Sequence, residues 1–318
     1  MNESRKIALI FPGQGSQVVG MGKELAERYP EARQTFEEAD HALGYKLSQL
    51  CFEGPEDQLR LTEITQPAIL TTSVAALRVL QSRIPKPNFV CGHSLGEYSA
   101  HVCAGTFCFA DAVRTVRNRG KYMQEAVPVG VGSMAAILGM EFAKVEAVCH
   151  DAAQGEVCAP ANINSPEQIV ISGNTAAVER ATRLADERGA KRAKVLPVSA
   201  PFHCSLMKPA QDRLENDLKK NVTISRPVYP VACNVDAEMV TDDNRAFDTL
   251  VRQVTGSVKW EQCMRLLIAN GVDTFIELGP GKVLCGLMRQ IERSKSCMNV
   301  ADEASLTKTL ETLGKVTA

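Results

Sequence analysis

Three short strand-like runs, at residues 7–11, 89–91 and 274–277, each stop within two residues at a glycine or proline, and each leads on into a helical pattern. Runs this short, closed by turn residues, read as buried strands. The helical patterns cover 23–29, 31–43, 66–80, 94–103 and 110–126, then 205–220, 245–254, 258–269 and 282–291. A further strand is expected at 228–232. Strands alternating with helices are the signature of a mostly parallel sheet covered on both faces, so the fold class is α/β.

One stretch breaks that rhythm. Pro128-Val129-Gly130-Val131-Gly132 interrupts the chain, and a different order follows. A strand is expected at 133–138, a helix at 144–153, strands at 157–162 and 169–172, a helix at 176–187 and a strand at 191–196. This β-α-β-β-α-β order is ferredoxin-like. The expected organisation is a large domain built from 1–128 and 198–318, with a small ferredoxin-like domain, 129–197, inserted in it.

The charge balance narrows the function. With 36 basic and 37 acidic residues among 318, the chain has a net charge of −1 and no general attraction to nucleic acid. No run is long enough to cross a membrane, and the apolar start at 7–11 is too short for the core of a signal peptide, so a cytoplasmic protein is expected. The 11 cysteines form no C-x-x-C pair and no zinc-type spacing; buried reduced thiols are expected, and no metal. Cys204 stands out because it follows a histidine of interest.

Gly92-His93-Ser94-Leu95-Gly96 has the form G-x-S-x-G where a strand gives way to a helix. A serine on so tight a turn projects its oxygen clear of the backbone. The next N–H, that of Leu95, lies at a helix start and is suited to meeting a developing oxyanion. A helix-capping serine in a glycine-rich turn would leave the same trace. The serine needs a base. Of five histidines, His41 and His150 read as surface residues, His101 as a packing or capping residue, and His93 as turned away from its neighbour. His203 follows a strand and precedes a helix, where open α/β sheets place functional groups. No Asp or Glu occupies an evident strand-end loop between Ser94 and His203, which leaves a backbone carbonyl as a means of orienting the imidazole.

These residues belong to a longer series: FPGQGSQ at 11–17, GHSLGEYSA at 92–100, RNRGKYMQ at 117–124, NINSPEQIVISG at 162–173, PFH at 201–203 and ELGPGKV at 277–283. The series strongly resembles the malonyl-CoA:acyl carrier protein transacylases of bacterial fatty acid synthesis, and the acyltransferase domains of polyketide and animal fatty acid synthases, over residues 7 to 290. Residues 295–318 add little to it. The resemblance implies an α/β-hydrolase-like large domain with a ferredoxin-like insert, and it implies roles. Ser94 would be the nucleophile and His203 its base. Gln14 and Leu95 would supply the oxyanion-hole N–H groups. Arg119 would clamp the malonyl carboxylate, and the main-chain carbonyl of Gln253 would orient the histidine. Phe202 would favour malonyl over branched acyl groups, and Asn162, with Asn164, would line the cleft.

Arg119 also makes sense chemically, since a guanidinium grips a carboxylate with two parallel bonds where a lysine offers a point charge. As part of the run Arg114, Arg117, Arg119 and Lys121 it could equally be a surface arginine. The expected partners are malonyl-CoA and an acyl carrier protein on a separate chain, with no resident cofactor, since the coenzyme A thioester is a substrate. A monomer is expected. A thioesterase or esterase on a related fold, and a non-catalytic carrier-binding module, are the rival readings.

Overall fold

The structure is a computed structural model that describes residues 5–198 and 200–317. Among the described residues, ten strands form two sheets. β1 (Lys6–Phe11), β2 (Phe89–Gly92), β7 (Val231–Ala232), β8 (Met239–Val240), β9 (Val272–Leu278) and β10 (Ser296–Val300) build the larger, in the order β10-β9-β1-β2-β7-β8. All its neighbours pair parallel except β7 with β8. β1 is buried on both faces: Ile7, Leu9 and Phe11 face one apolar cluster, Ala8 and Ile10 another that contains Trp260 and Phe275. That two-sided burial is why these strands read as continuous apolar runs with no alternation.

β3 (Gly132–Leu138), β4 (Cys158–Ser165), β5 (Gln168–Asn174) and β6 (Arg192–Val195) form the antiparallel second sheet, in the order β4-β5-β3-β6. With helices Phe142–Ala153 and Thr175–Glu187 between its strands, this is the β-α-β-β-α-β order expected from the sequence. β4 also reaches the rest of the chain directly. Ile163 N–H donates to the Val258 carbonyl and Val258 N–H to the Ala161 carbonyl, both at 2.8 Å, and this ties Asn162 beside the larger sheet.

Several expectations need correction. The helix placed at 66–80 begins four residues earlier, as Thr62–Leu80, with Pro67 inside it. The strand placed at 228–232 shrinks to Val231–Ala232; Pro230 has no N–H to give a ladder, and the Val228 N–H is taken by the Ala104 carbonyl. No element was foreseen after residue 291, yet two lie there. β10 extends the sheet beside β9, and helix Glu303–Thr317 follows, with Val300 and Leu306 buried. All 11 cysteines are free thiols; most are buried, but Cys108 is exposed and Cys103, Cys158 and Cys297 are half-buried. No helix among the described residues is long and apolar enough to cross a membrane.

Candidate active site

β2 runs directly into the turn 92–96, which is tight because only glycine fits at its ends. A Cβ on Gly92 would lie 1.9 Å from the Gly96 carbonyl carbon, and one on Gly96 would lie 2.1 Å from the Phe11 carbonyl oxygen. Between them Ser94 sits at φ 51°, in the left-handed region that costs a non-glycine residue about 1 kcal/mol or more. Asn234 holds this conformation: its Oδ1 accepts the Ser94 N–H at 2.7 Å and its Nδ2 donates to the Gly92 carbonyl at 2.8 Å. A methyl group at Gly92 would press on backbone that cannot yield. Gly92→Ala is therefore expected to lower stability by about 3 kcal/mol, the upper end of typical overpacking costs, read as a lower urea midpoint at unchanged slope.

His203 comes from the loop between β6 and the short 3₁₀ turn Ser205–Met207, and it too has a positive φ, 60°. Its Nε2 is 2.7 Å from the Ser94 Oγ. Its Nδ1 faces two carbonyls, Gln253 at 2.9 Å and Gly256 at 3.1 Å. Carbonyls only accept, so Nδ1 carries the proton and Nε2 presents its lone pair to the serine hydroxyl. Gln253 caps the C-terminus of helix Asp243–Arg252, where carbonyls lack intrahelical partners, so its oxygen is available. Burial, with the Arg119 cation as a second cause, pushes the imidazole down to about 3.

Arg119 is 1% exposed. It shares the buried face of helix Phe109–Glu125 with Ala112, Val116 and Met123, at helical spacing, while Arg114 and Arg117 point outward to Asp111 and Glu63. Gly120 lets this helix pass close to Thr62, since a Cβ there would sit 2.5 Å from the Thr62 carbonyl oxygen. The guanidinium donates from Nη1 to Gln66 Oε1 at 2.8 Å, and from Nη2 to Gln253 Oε1 at 2.9 Å and to Ser94 Oγ at 3.2 Å. Its Nε is buried with no hydrogen-bond partner among the described residues. Two amides thus fix a cation against the serine hydroxyl.

These groups open on a cavity of about 880 Å³ lined by Ser94, Leu95, Gln14, His93, Phe202 and Asn162 among others. Leu95 directly precedes helix Gly96–Cys103, so its N–H belongs to the helix start. The Asn162 side-chain oxygen is buried without a donor among the described residues. No group of His, Cys, Asp or Glu among the described residues could hold a metal ion. A hydroxyl paired to an oriented imidazole, beside a fixed guanidinium, can attack a carbonyl and hold a carboxylate near it.

Residues 8–313 match the acyl transferase domain family. The chain belongs to the acyl transferase family. It is 49% identical to the malonyl CoA-acyl carrier protein transacylase of Salmonella typhimurium, over 96% of this chain and 99% of that protein. The Bacillus subtilis transacylase of the same name is 48% identical, with 97% of each chain covered. Among solved structures, an acyl carrier protein S-malonyltransferase from Vibrio cholerae superposes with a TM-score of 0.94 at 49% identity, covering 96% of this chain and 99% of that one. A malonyl-transacylase in complex with a type II polyketide synthase acyl-carrier protein superposes with a TM-score of 0.94 at 45% identity, with the same coverage.

Ser94, His203, Arg119, Gln14, Leu95, Phe202 and Asn162 all line the cavity of this acyl transferase, and Gln253 lies directly behind it. Asn164 does not line it; its Oδ1 sits 2.8 Å from His93 Nε2 instead. His93, expected to point away, is itself a lining residue. Cys204, singled out by position, is inert: its Sγ donates to the Pro201 carbonyl at 3.2 Å, and burial raises the thiol. Of the segment 198–204, Ser199 lies outside the described residues. Sequence reasoning missed Gln66, Glu97, Asn234 and Gly256. Two left a trace: Gln66, as a long polar side chain at the start of an apolar helical stretch, and Glu97, inside the series at 92–100.

Proposed function

We propose that this acyl transferase moves a malonyl group from coenzyme A to the phosphopantetheine thiol of a separate acyl carrier protein, through an ester on Ser94, in fatty acid biosynthesis. The observation that carries the reading is the buried Arg119 guanidinium 3.2 Å from the Ser94 hydroxyl, a cation at the nucleophile that an acyl group with a free carboxylate would neutralise. The cavity accepts the thioester between the small domain assigned to 129–197 and the large domain assigned to 1–128 and 198–318.

His203 Nε2 takes the Ser94 proton as Oγ attacks the thioester carbonyl. The N–H groups of Gln14 and Leu95 receive the oxyanion, and losing one such donor typically costs about 2.7–4 kcal/mol. The C–S bond breaks, the sulfur takes the proton from His203, and coenzyme A leaves as a thiol. The carrier's thiol then gives its proton to His203 and attacks the ester, which returns the hydroxyl to Ser94. Coenzyme A enters and leaves as substrate, and side chains alone carry the proton. Phe202 crowds a branch at the acyl α-carbon; a single methyl discriminates by only about 1–3 kcal/mol, so some leakage is expected.

A thioesterase would use the same Ser94 and His203, but it gains nothing from a guanidinium held by two amides. Brief exposure to malonyl-CoA is expected to add the mass of one malonyl group to the wild type and none to Ser94→Ala, measured on intact protein. Free malonate accumulating without an adduct would favour hydrolysis. No adduct and no turnover would overturn both readings.

A further inference from the structure

Glu97, three residues beyond Ser94, is fully buried in the first turn of helix Gly96–Cys103, and the steps above give it no task. Two donors reach it, and both reach the same oxygen. Gln253 Nε2 at 2.8 Å and the Asn234 backbone N–H at 3.0 Å converge on Oε2. Oε1 is buried with no partner among the described residues. A buried ionised carboxylate is ordinarily satisfied on both oxygens. This lopsided pattern leaves Oε1 free to bind a proton while both existing bonds stay intact.

Gln253 joins this carboxyl to the substrate cation. Its Nε2 donates to Glu97 and to the Ser94 carbonyl, and its Oε1 accepts from Arg119. The titratable and charged groups facing Glu97 are Arg119 from helix Phe109–Glu125, Asp236 from the segment between β7 and β8, Tyr98 on its own helix, Cys91 on β2, and Cys233 just after β7. Burial raises the phenol and both thiols, so these stay neutral near pH 7. Asp236 is engaged by Arg252 at 2.6 Å. Arg119 is the cation in this group, and Glu97 is the anion linked to it through a single amide.

Resting on the malonyl reading, we propose that Glu97 is a positioning residue that balances Arg119 in the empty site and takes up a solvent proton at Oε1 when the malonyl carboxylate pairs with Arg119. The physics is direct. A second anion arriving at Arg119 in a desolvated site disfavours the charged form of the first. Burial already pushes Glu97 up to about 7, so a modest further rise carries it across neutral pH. The uptake begins above that value; at lower pH Glu97 is already protonated. The serine's own proton leaves with coenzyme A as thiol, so acylation alone changes no proton count.

The test is proton uptake in weak buffer with a pH indicator just above neutral pH, as malonyl-CoA acylates the wild type and Glu97→Gln, with acylation checked by intact mass. The substitution keeps an acceptor for both donors and places its NH₂ where Oε1 has no partner. A substantial fraction of a proton per malonyl-enzyme is expected in the wild type and none in Glu97→Gln. KM for malonyl-CoA in the wild type, relative to Glu97→Gln, is expected to rise with pH above neutral, by up to about tenfold per unit. Equal uptake in both proteins, or none in an acylated wild type, overturns the inference alone; a wild type that malonyl-CoA does not acylate overturns the malonyl reading with it. If Glu97→Gln does not fold, the wild type still decides: its infrared difference spectrum on acylation must gain the band of a buried protonated carboxylic acid, and absence of that band overturns the proposal.

Discussion

Replacing His203 with alanine is expected to slow acylation of Ser94 by about 10⁴–10⁶-fold, close to the loss from removing the serine itself, because the two act as one unit. The hydroxyl and Nε2 are 2.7 Å apart, and among the described residues no other imidazole forms a hydrogen bond to that oxygen. His93 is adjacent in sequence, but its Nε2 is committed to Asn164. The same geometry sets the pH dependence. Burial and Arg119 push His203 down to about 3, so the charged imidazole is the disfavoured form in the folded enzyme. The base stays neutral as pH falls past the usual histidine range, and the acid limb of kcat/KM assigned to His203 is expected well below pH 6.5. A limb near 6.5 that disappears in His203→Ala would contradict this, and so would an alanine variant that keeps more than about one-hundredth of the wild-type rate.

The second large effect belongs to Arg119. Arg119→Ala is expected to lower kcat/KM for malonyl-CoA by about 10²–10⁴-fold, the equivalent of about 3–5 kcal/mol for breaking a buried charge pair. It should also raise the preference for acetyl-CoA over malonyl-CoA, since acetyl brings no carboxylate to match. Folding will suffer too, because the Gln66 and Gln253 side-chain oxygens each lose a donor, at about 1–3 kcal/mol for each buried acceptor left unsatisfied. Selectivity separates the two effects: a loss of stability alone lowers both substrates alike. Arg119→Lys is expected to restore little, because one ammonium cannot serve two amide oxygens and a carboxylate in the planar arrangement a guanidinium provides. Competition between malonyl-CoA and acetyl-CoA, read from the adduct mass, checks this. An unchanged ratio in Arg119→Ala would remove Arg119 from substrate recognition.

How much was legible in advance varies with the range of the interaction. The turn 92–96 could be read directly, because its cause is local: glycine where a Cβ would strike backbone, and an apolar run on one side with a helix on the other. The ferredoxin-like order of β3 to β6 was likewise visible, since helix and strand periods are written along the chain. The two-residue β7 was expected to be longer, and the edge strand β10 was not foreseen. A short strand carries too few residues to show a period, and β10, with half-buried residues along most of its length, lacks a continuous apolar run. Arg119 looked like one cation of a surface run until the helix face was fixed; its neighbours at 114 and 117 turn outward, and it alone of the three turns in.

By itself, the sequence determined the class of fold, the serine on its tight turn, and the need of such a hydroxyl for a base. These follow from backbone sterics, from hydrophobic period and from the chemistry of a hydroxyl nucleophile. Tertiary structure alone decided how the Arg119 guanidinium is held, and it gave His203 a second carbonyl beside the one the resemblance implied. The carbonyls of Gln253 and Gly256 face His203 Nδ1 from 50 and 53 positions away; the first was implied by the family resemblance, and nothing in the sequence pointed to the second. Asn234 and Gln253 reach the serine turn from 140 and 159 positions away because β7 lies beside β2 and the helix ending at Arg252 follows soon after in the chain. Side chains so distant in the chain meet only once the strand order is set, and each buried polar atom among them then needs a partner that only the folded chain supplies.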